Sequence, residues 1–467
     1  MASTGPRKQL SEIEYRSFKE LQESIALSAY HDSTERSTSS VCLEGTRKEQ
    51  IREIAEWIES GGGKPVFVVL GPAGSGKTSL LNTVAEICKQ KGHYGAGFFF
   101  SQIDSSRNTT GRFVNTIAYQ VTVAIPQLQP YIAQIIAADS TILDRSMDSQ
   151  IDTLLLKPLH LLQLNHPNFA ARQYIIIIDA LNECGELTHQ KCVLTALAKV
   201  LANKSFPFIC LLSTRYNPHI ETALTNKLES RIHGRVILGS DGIDERADIS
   251  AYLRVSVNRV RDTHAFGERI PQAWPTDPDL ENIVKKSGGQ FLYASTVIRY
   301  VESPEDDPHG RLRYILGLST DRSGANPFAE LDVLYRALMS SVKNVETAIE
   351  ILGIELVRAS PQFWMPLTVK YKFDFTEYFC SLDADIILAP LASVLKCEGG
   401  NIKFHHLSFS EFLLDSIRSG KFFVHPKKWH RWIVSQLVPF LYDGRCMIAD
   451  SLYLFSRILF SCSEDCP

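Results

Sequence analysis

The chain has 467 residues, 44% of them apolar, enough to build the cores of about three domains of roughly 150 residues each. Its 49 basic and 52 acidic side chains leave a formal net charge of -3 with no basic block, which argues against DNA or RNA as a main partner. No apolar run approaches the roughly 18 to 20 residues that span a bilayer, and the opening "MASTGPRKQLSEIEYRS" lacks the apolar core of a secretory signal, so the expectation is a cytoplasmic protein with no membrane contact.

The ten cysteines stand at irregular spacings, mostly singly within apolar segments such as "FICLLS", and read as buried free thiols in a reducing compartment. The terminal "CSEDC" offers only two candidate zinc ligands, too few for a site.

In chain order, Ser11 and Glu14 have capping-box spacing and predict a helix over 11–28 with Phe18, Leu21 and Ile25 on one face. The polar stretch "HDSTERSTSS" reads as a linker. Thr46 and Glu49 suggest a second capping box, followed by Ile51, Ile54 and Ile58 at helical spacing up to the breaker "GGGKP". From 65 onward, "VFVVL", "GFFF", "YIIIID", "FICLLST" and "RVILG" alternate with helical patterns. Wholly apolar strands separated by helices indicate an α/β fold in which a parallel sheet is covered on both faces.

After 241 helical periodicity dominates as far as "SPEDDPHG", and residues 327 to 358 are helical again. Short helices then mix with the β-like run "NIKFHHLSF", a pattern that suits a small winged-helix unit. The expected domains are a short helical extension (1–40), a linker helix (41–64), an α/β core (65–240), a helical domain (241–320), a winged-helix-like domain (321–425) and a helical remnant (426–467). No repeat of 20 to 50 residues is visible.

The chemistry concentrates in "GPAGSGKT", which is Gly71, Pro72, Ala73, Gly74, Ser75, Gly76, Lys77 and Thr78, followed by Ser79. It matches the P-loop pattern and lies between a strand and a helix, so its backbone N–H groups and the helix N-terminus can surround phosphate oxygens. Lys77 would reach the β and γ phosphates, and the Thr78 hydroxyl would ligate Mg²⁺. A ligand-free glycine turn would fit the glycines alone, but not both flanks. Asp179, at the end of four isoleucines, fits the carboxylate that holds the magnesium through water; the plainer alternative is a strand-end cap.

With "IIIIDALNEC" about a hundred residues after "GPAGSGKT", the chain resembles the NACHT-domain NTPases of the STAND class, in the fungal NOD-like-receptor group with a nephrocystin 3-like N-terminal domain. "CLEGTR", "FFFSQIDSSR", "STRYNPHI", "SGGQFLYASTVIRYV" and "HLSFSEFLLD" match in the same order, and the resemblance covers about 40 to 425. It implies that Arg215 is the sensor of the γ-phosphate and that His406, with His405 as adjacent competitor, touches the β-phosphate in a closed, ADP-bound state. It also implies that Gly45 and Arg47 contribute to the adenine side; Arg107 reads better as a solvated loop residue than as a phosphate contact.

Two positions depart from the family. Asn182 replaces a usual aspartate, and an amide cannot act as a base, so Glu183 alone must activate the attacking water. Tyr216 stands where relatives often place proline. The resemblance therefore implies an ATP/ADP-binding, Mg²⁺-dependent signalling switch with slow hydrolysis, self-associating as a homo-oligomer or with related receptor proteins, commonly in defence or non-self recognition. About 40 residues precede "CLEGTR" and about 40 follow the winged-helix segment, so a truncated gene model or a short adaptor remains open. The rivals are an interaction scaffold with a vestigial nucleotide site and a P-loop kinase of small molecules.

Overall fold

Apolar runs with no polar alternation suit strands buried on both faces, and four of the five fold that way; "RVILG" instead falls in a partly exposed edge strand, where Ile237 faces solvent. The structure, a computed structural model, describes residues 11–34, 41–60, 63–166, 173–203, 207–239, 242–271, 273–304, 306–318, 328–359 and 374–441. Strands β1 (Val66–Leu70), β2 (Tyr94–Phe99), β3 (Tyr174–Asp179), β4 (Phe208–Thr214) and β5 (Ile232–Ile237) form one parallel sheet in the order β2-β3-β4-β1-β5. The strand bearing Asp179 is thus not next to the strand that feeds the glycine-rich loop; β4 lies between them.

Alternate residues serve opposite cores, as the two-residue period of a strand requires. Val66, Val68, Ile176, Ile178, Cys210 and Leu212 face one core, and Phe67, Val69, Ile175, Ile177, Ile209 and Leu211 the other. The second core is closed by helices α2 (Lys48–Glu59), through Ile54, Trp57 and Ile58, and α3 (Lys77–Lys91), through Leu80, Leu81, Val84 and Ala85. The first core takes Leu21 of α1 (Glu12–Glu23) and the apolar faces of α4 (Phe113–Ala124), α5 (Gln129–Ala138), α7 (Lys157–Asn165), α8 (Leu187–Val200) and α9 (Pro218–Leu228). The short α6 (Met147–Gln150) runs into α7 through a π-helical turn at Ile151–Leu156. At the sheet edge, Gln120 of α4 accepts the Gly97 N–H at 3.0 Å and donates to the Gly97 carbonyl at 2.8 Å.

The chain divides into two compact units, Met1–Ser240 and Asp241–Pro467. In the second, α10 (Ile243–Thr263), α11 (Asp277–Ser287), α12 (Phe291–Val301) and α13 (Pro308–Gly317) pack together. Helices α14 (Ala329–Ser341), α15 (Val345–Arg358), α16 (Phe375–Ser381) and α17 (Ala384–Leu388) lead to an antiparallel hairpin of β6 (Leu395–Glu398) and β7 (Asn401–Phe404). Then follow α18 (Leu407–Leu413), α19 (Ser416–Ser419) and α20 (Pro426–Leu441). Buried Asp332 of α14 receives the Arg418 guanidinium at 2.7 and 3.1 Å, tying α14 to α19. Gly353 gives α15 the flat spot against which the indole of Trp429 packs, since a Cβ there would lie 2.3 Å from the ring.

Several local expectations change. The Ser11–Glu14 capping box forms in both directions, but α1 ends at Glu23, and a 3₁₀ turn at Leu27–Ala29 replaces its last part. The second box does not form: Arg47, at φ 55, caps α2, Thr46 donates its hydroxyl to the Leu43 carbonyl at 2.7 Å, and Glu49 pairs with Arg52 at 2.6 Å. The left-handed turn at Arg47 starts the helix a residue later than the box needs. The polar "HDSTERSTSS" is not all linker, because His31 is buried between Tyr94, at 3.0 Å, and Glu86, at 3.3 Å; residues 35–40 lie outside the described residues. Of the described cysteines, Cys88, Cys184 and Cys210 are buried free thiols, whereas Cys192 on α8 and Cys380 on α16 are exposed because they fall on the outward sides of their helices. The "CSEDC" segment and residues 360–373 also lie outside the described residues. No single described helix is long and apolar enough to cross a membrane.

Candidate functional site

The loop from Gly71 to Gly76 leaves β1 at the C-terminal edge of the sheet and opens α3. Gly76 takes φ 90, the left-handed region open to glycine without strain. Gly71 is required for closeness: a Cβ there would meet the Ser75 Oγ at 2.5 Å and the Leu238 carbonyl at 2.9 Å. The turn holds the first N–H groups of α3 together at its positive dipole end, an arrangement suited to an anion. Lys77 is buried and donates its Nζ to the carbonyls of Gly71, at 2.7 Å, and Pro72, at 2.8 Å. Its charge therefore already sits over the mouth of the loop. The wholly buried Ser75 hydroxyl has no hydrogen-bond partner, an orphan polar group inside the cradle. Arg47, also buried, donates its Nη2 to the Ser75 carbonyl at 2.9 Å and so bears on the loop's crest.

Thr78 Oγ1 donates to Asp179 Oδ2 at 2.7 Å. The second oxygen of Asp179 accepts from Ser213 Oγ at 2.6 Å, and that hydroxyl accepts the Ala180 N–H at 2.9 Å. Ser213 sits on β4, the strand between β1 and β3, and ties the end of β3 at Asp179 to the turn that opens at Ala180. It is the residue that sequence reasoning missed, although a hydroxyl near the end of an otherwise apolar strand beside a strand-end carboxylate was a legible signal.

Beyond Asp179 the chain turns through Ala180, at φ 54, into a 3₁₀ turn, Leu181–Glu183. Glu183 is partly buried and its Oε2 accepts the Gln102 N–H at 3.4 Å. Burial pushes its carboxyl above the usual carboxylate range; the Arg215 guanidinium opposes that shift, nearby Asp179 adds to it, and Arg107 opposes it weakly. A carboxylate whose pKa is raised toward the working pH is a better proton acceptor than an ordinary one. The Asn182 Oδ1 accepts the Arg215 N–H at 2.9 Å. The fold thus gathers Lys77, Thr78 and Asp179 in one group and Glu183 and Arg215 in an adjoining one, with Asp179 common to both.

Arg107 is not a solvated loop residue. Its Nε donates to Asp104 at 2.7 Å and its Nη1 to the Phe99 carbonyl at 2.8 Å, which folds the 101–107 loop against the end of β2. Asp104 also accepts from Ser28 at 2.6 Å and from Ser106 at 2.7 Å. Tyr216 is 69% exposed. His406 lies in the second unit, where its Nδ1 accepts the Ser408 N–H at 3.0 Å and caps α18; neighbouring His405 lies 3.1 Å from the Ala392 carbonyl.

The family model described as "Nephrocystin 3, N-terminal" matches residues 46–215, just over a third of the chain and the stretch that holds both groups. No curated protein matches. Among solved structures, the Walker-type ATPase of Pyrococcus abyssi is similar at 13% identity over 80% of this chain and 97% of that one, with a TM-score of 0.40. The Aeropyrum pernix ORC2 protein, in its ADPNP-ADP complexes, is similar at 12% identity over 87% of this chain and 100% of that one, at 0.37. The Thermotoga maritima RuvB Holliday junction branch migration motor follows at 12%, 78% and 94%, at 0.30. These likenesses are loose, and the classification stands on the sheet and the loop. A parallel sheet ordered β2-β3-β4-β1-β5, with "GPAGSGKT" turning from β1 into a helix and a carboxylate-ended strand beyond β4, is the P-loop NTPase fold, a nucleotide-binding fold.

Proposed function

We propose that this chain is an ATP/ADP-binding signalling switch of the NACHT-type STAND class, similar to NOD-like receptors, that hydrolyses ATP slowly and self-associates when it opens. The observation that carries the reading is the joined pair of groups: a phosphate cradle with Lys77 over its mouth, and the Thr78–Asp179–Ser213 chain running into the turn that bears Glu183. The family match over residues 46–215 supports it.

The donor set fits a nucleotide with magnesium. The cradle would be filled by a Cβ at Gly71, it contains the orphan Ser75 hydroxyl, and Lys77 can exchange two carbonyls for phosphate oxygens. Mg²⁺ prefers hard oxygen ligands and keeps several waters, so Thr78 and Asp179 with phosphate oxygens suffice. Among the described residues no cluster of three or more His, Cys, Asp or Glu side chains could hold a metal alone. When bound, the cation would offset charge on the phosphate oxygens. In this reading Lys77 binds and orients the phosphates, Glu183 accepts the proton of the attacking water, and Arg215 senses the third phosphate. Switching follows from unequal affinity of two conformations for ATP and ADP, because a ligand that binds both equally shifts nothing.

The test is to purify the chain without added nucleotide, denature it and identify what is released. Near-stoichiometric ADP supports a closed switch, with Lys77→Ala releasing none. An empty parent that also takes up no labelled ATP overturns the reading and favours an interaction scaffold.

A further inference from the structure

We propose that Asn182 is the positioning residue for Arg215: its side-chain oxygen holds the Arg215 N–H so that the guanidinium stands where a nucleoside triphosphate differs from a diphosphate. The proposal rests on the reading of Arg215 as sensor given above. It changes the meaning of the amide at 182, which becomes the tie between the base and the sensor instead of a lost carboxylate.

Arg215 is the first residue beyond β4, which ends at Thr214, and the next side chain, Tyr216, is 69% exposed. The sheet ladder no longer fixes the backbone there. The Asn182 Oδ1, 2.9 Å from the Arg215 nitrogen, supplies a directional acceptor at that point. Asn182 is itself anchored at both ends of its turn. Its carbonyl accepts from Gln190 of α8 at 3.3 Å, and the Ala180 N–H that opens the turn is held by Ser213, the same hydroxyl that binds Asp179.

The consequence is one rigid piece carrying three functional groups. Asp179, Glu183 and Arg215 lie on two strand ends, and Ser213 and Asn182 tie those ends together from opposite sides. A long arginine side chain searches far fewer positions when its Cα is fixed, which is how a distant hydrogen bond sets the reach of a charged group. Either oxygen-bearing side chain, asparagine or aspartate, accepts the same N–H, whereas alanine does not.

The experiment uses the full chain and compares the dissociation constants of ADP and a slowly hydrolysed ATP analogue for the parent, Asn182→Ala, Asn182→Asp, Arg215→Ala and the double variant Asn182→Ala/Arg215→Ala. The expected result is that Asn182→Ala shifts the ratio of the two constants toward that of Arg215→Ala by about fivefold to tenfold, with ADP affinity near that of the parent. Asn182→Asp keeps the parent ratio, and the double variant matches Arg215→Ala, as coupled residues require. If Asn182→Ala proves poorly folded, Asn182→Ser, whose hydroxyl falls short of the Arg215 N–H, gives the same readout. An unchanged ratio in the alanine and serine variants, or an effect that persists undiminished without the Arg215 side chain, overturns the proposal while leaving the switch intact. An Arg215→Ala variant with the parent ratio removes Arg215 as sensor, and this proposal with it.

Discussion

Thr78 Oγ1 and Asp179 Oδ2 lie 2.7 Å apart although β4 separates β1, which leads to Thr78 through the loop, from β3, which ends in Asp179. The contact is possible because Thr78 opens α3, at the end of a loop that carries it over the sheet edge, while Asp179 stands at the last position of β3. Replacing Thr78 by alanine should leave the sheet intact and remove one of two protein oxygens offered to a divalent cation. Nucleotide affinity in the presence of Mg²⁺ should fall by about tenfold to a hundredfold, as for loss of a hydrogen bond to a charged group. The dependence on added Mg²⁺ should flatten. Titration of a fluorescent ADP with and without chelator measures both.

Glu183 makes a prediction about stability as a function of pH. Its folded-state pKa is raised by burial, so the protonated form is the one the fold favours. A raised pKa contributes stability that is present below the unfolded value, about 4.3, and is lost as pH rises through the folded value. At neutral pH the ionised group is therefore a cost. Glu183→Gln should melt at or above the parent temperature at pH 7.5, and the difference should shrink as pH is lowered, while ATP turnover is lost. Thermal melts between pH 8 and 5 read the trend, and a variant that melts well below the parent at pH 7.5 contradicts it.

Asp104 should behave in the opposite sense. Burial opposes its ionisation, but hydrogen bonds from Ser28, Arg107 and Ser106 outweigh that and hold its carboxyl below the usual range. A depressed pKa contributes stability above the unfolded value, about 3.9, that fades as pH falls through the folded value. Asp104→Asn should cost about 1–3 kcal/mol at neutral pH, seen in denaturant midpoints. The gap between the two proteins should narrow in acid.

In the second unit, Gly353→Ala would place a methyl group 2.3 Å from the Trp429 ring, and α15 or α20 must move. Overpacking of this kind costs about 1–3 kcal/mol. Trp429 is 5% exposed, so its displacement should shift tryptophan emission to the red. Unchanged emission and melting would mean that the two helices part without loss.

The parts of this fold that announce themselves are those where one physical rule acts alone. Four β-branched isoleucines in a short run before Asp179 mark a strand buried on both faces, and glycine spacing between a strand and a helix marks the phosphate loop. Where rules compete, reading fails. Thr46 and Glu49 satisfy the spacing of a capping box, but the left-handed turn at Arg47 and the Glu49–Arg52 pair take both side chains away. Arg107 looks solvated in a polar loop because its partners, Asp104 and the Phe99 carbonyl, are set by the turn itself. His31 looks like part of a linker because Tyr94 and Glu86 are far away in sequence. Strand order was equally hidden: nothing local says that β4 enters between β1 and β3, so the hydroxyl of Ser213 stands out in its apolar strand while its partner, Asp179, does not.

The side chain of Gln120 does for β2 what a neighbouring strand would do. Its amide takes up both the N–H and the carbonyl of Gly97 in the middle of the edge strand. An edge with its central hydrogen-bonding groups occupied is a poor template for another chain, and such blocking is a recognised defence against uncontrolled strand addition. A strand adding at β2 would first have to displace that amide. Gln120→Ala would leave both Gly97 groups open to such pairing, and a rise in aggregation on heating would show it.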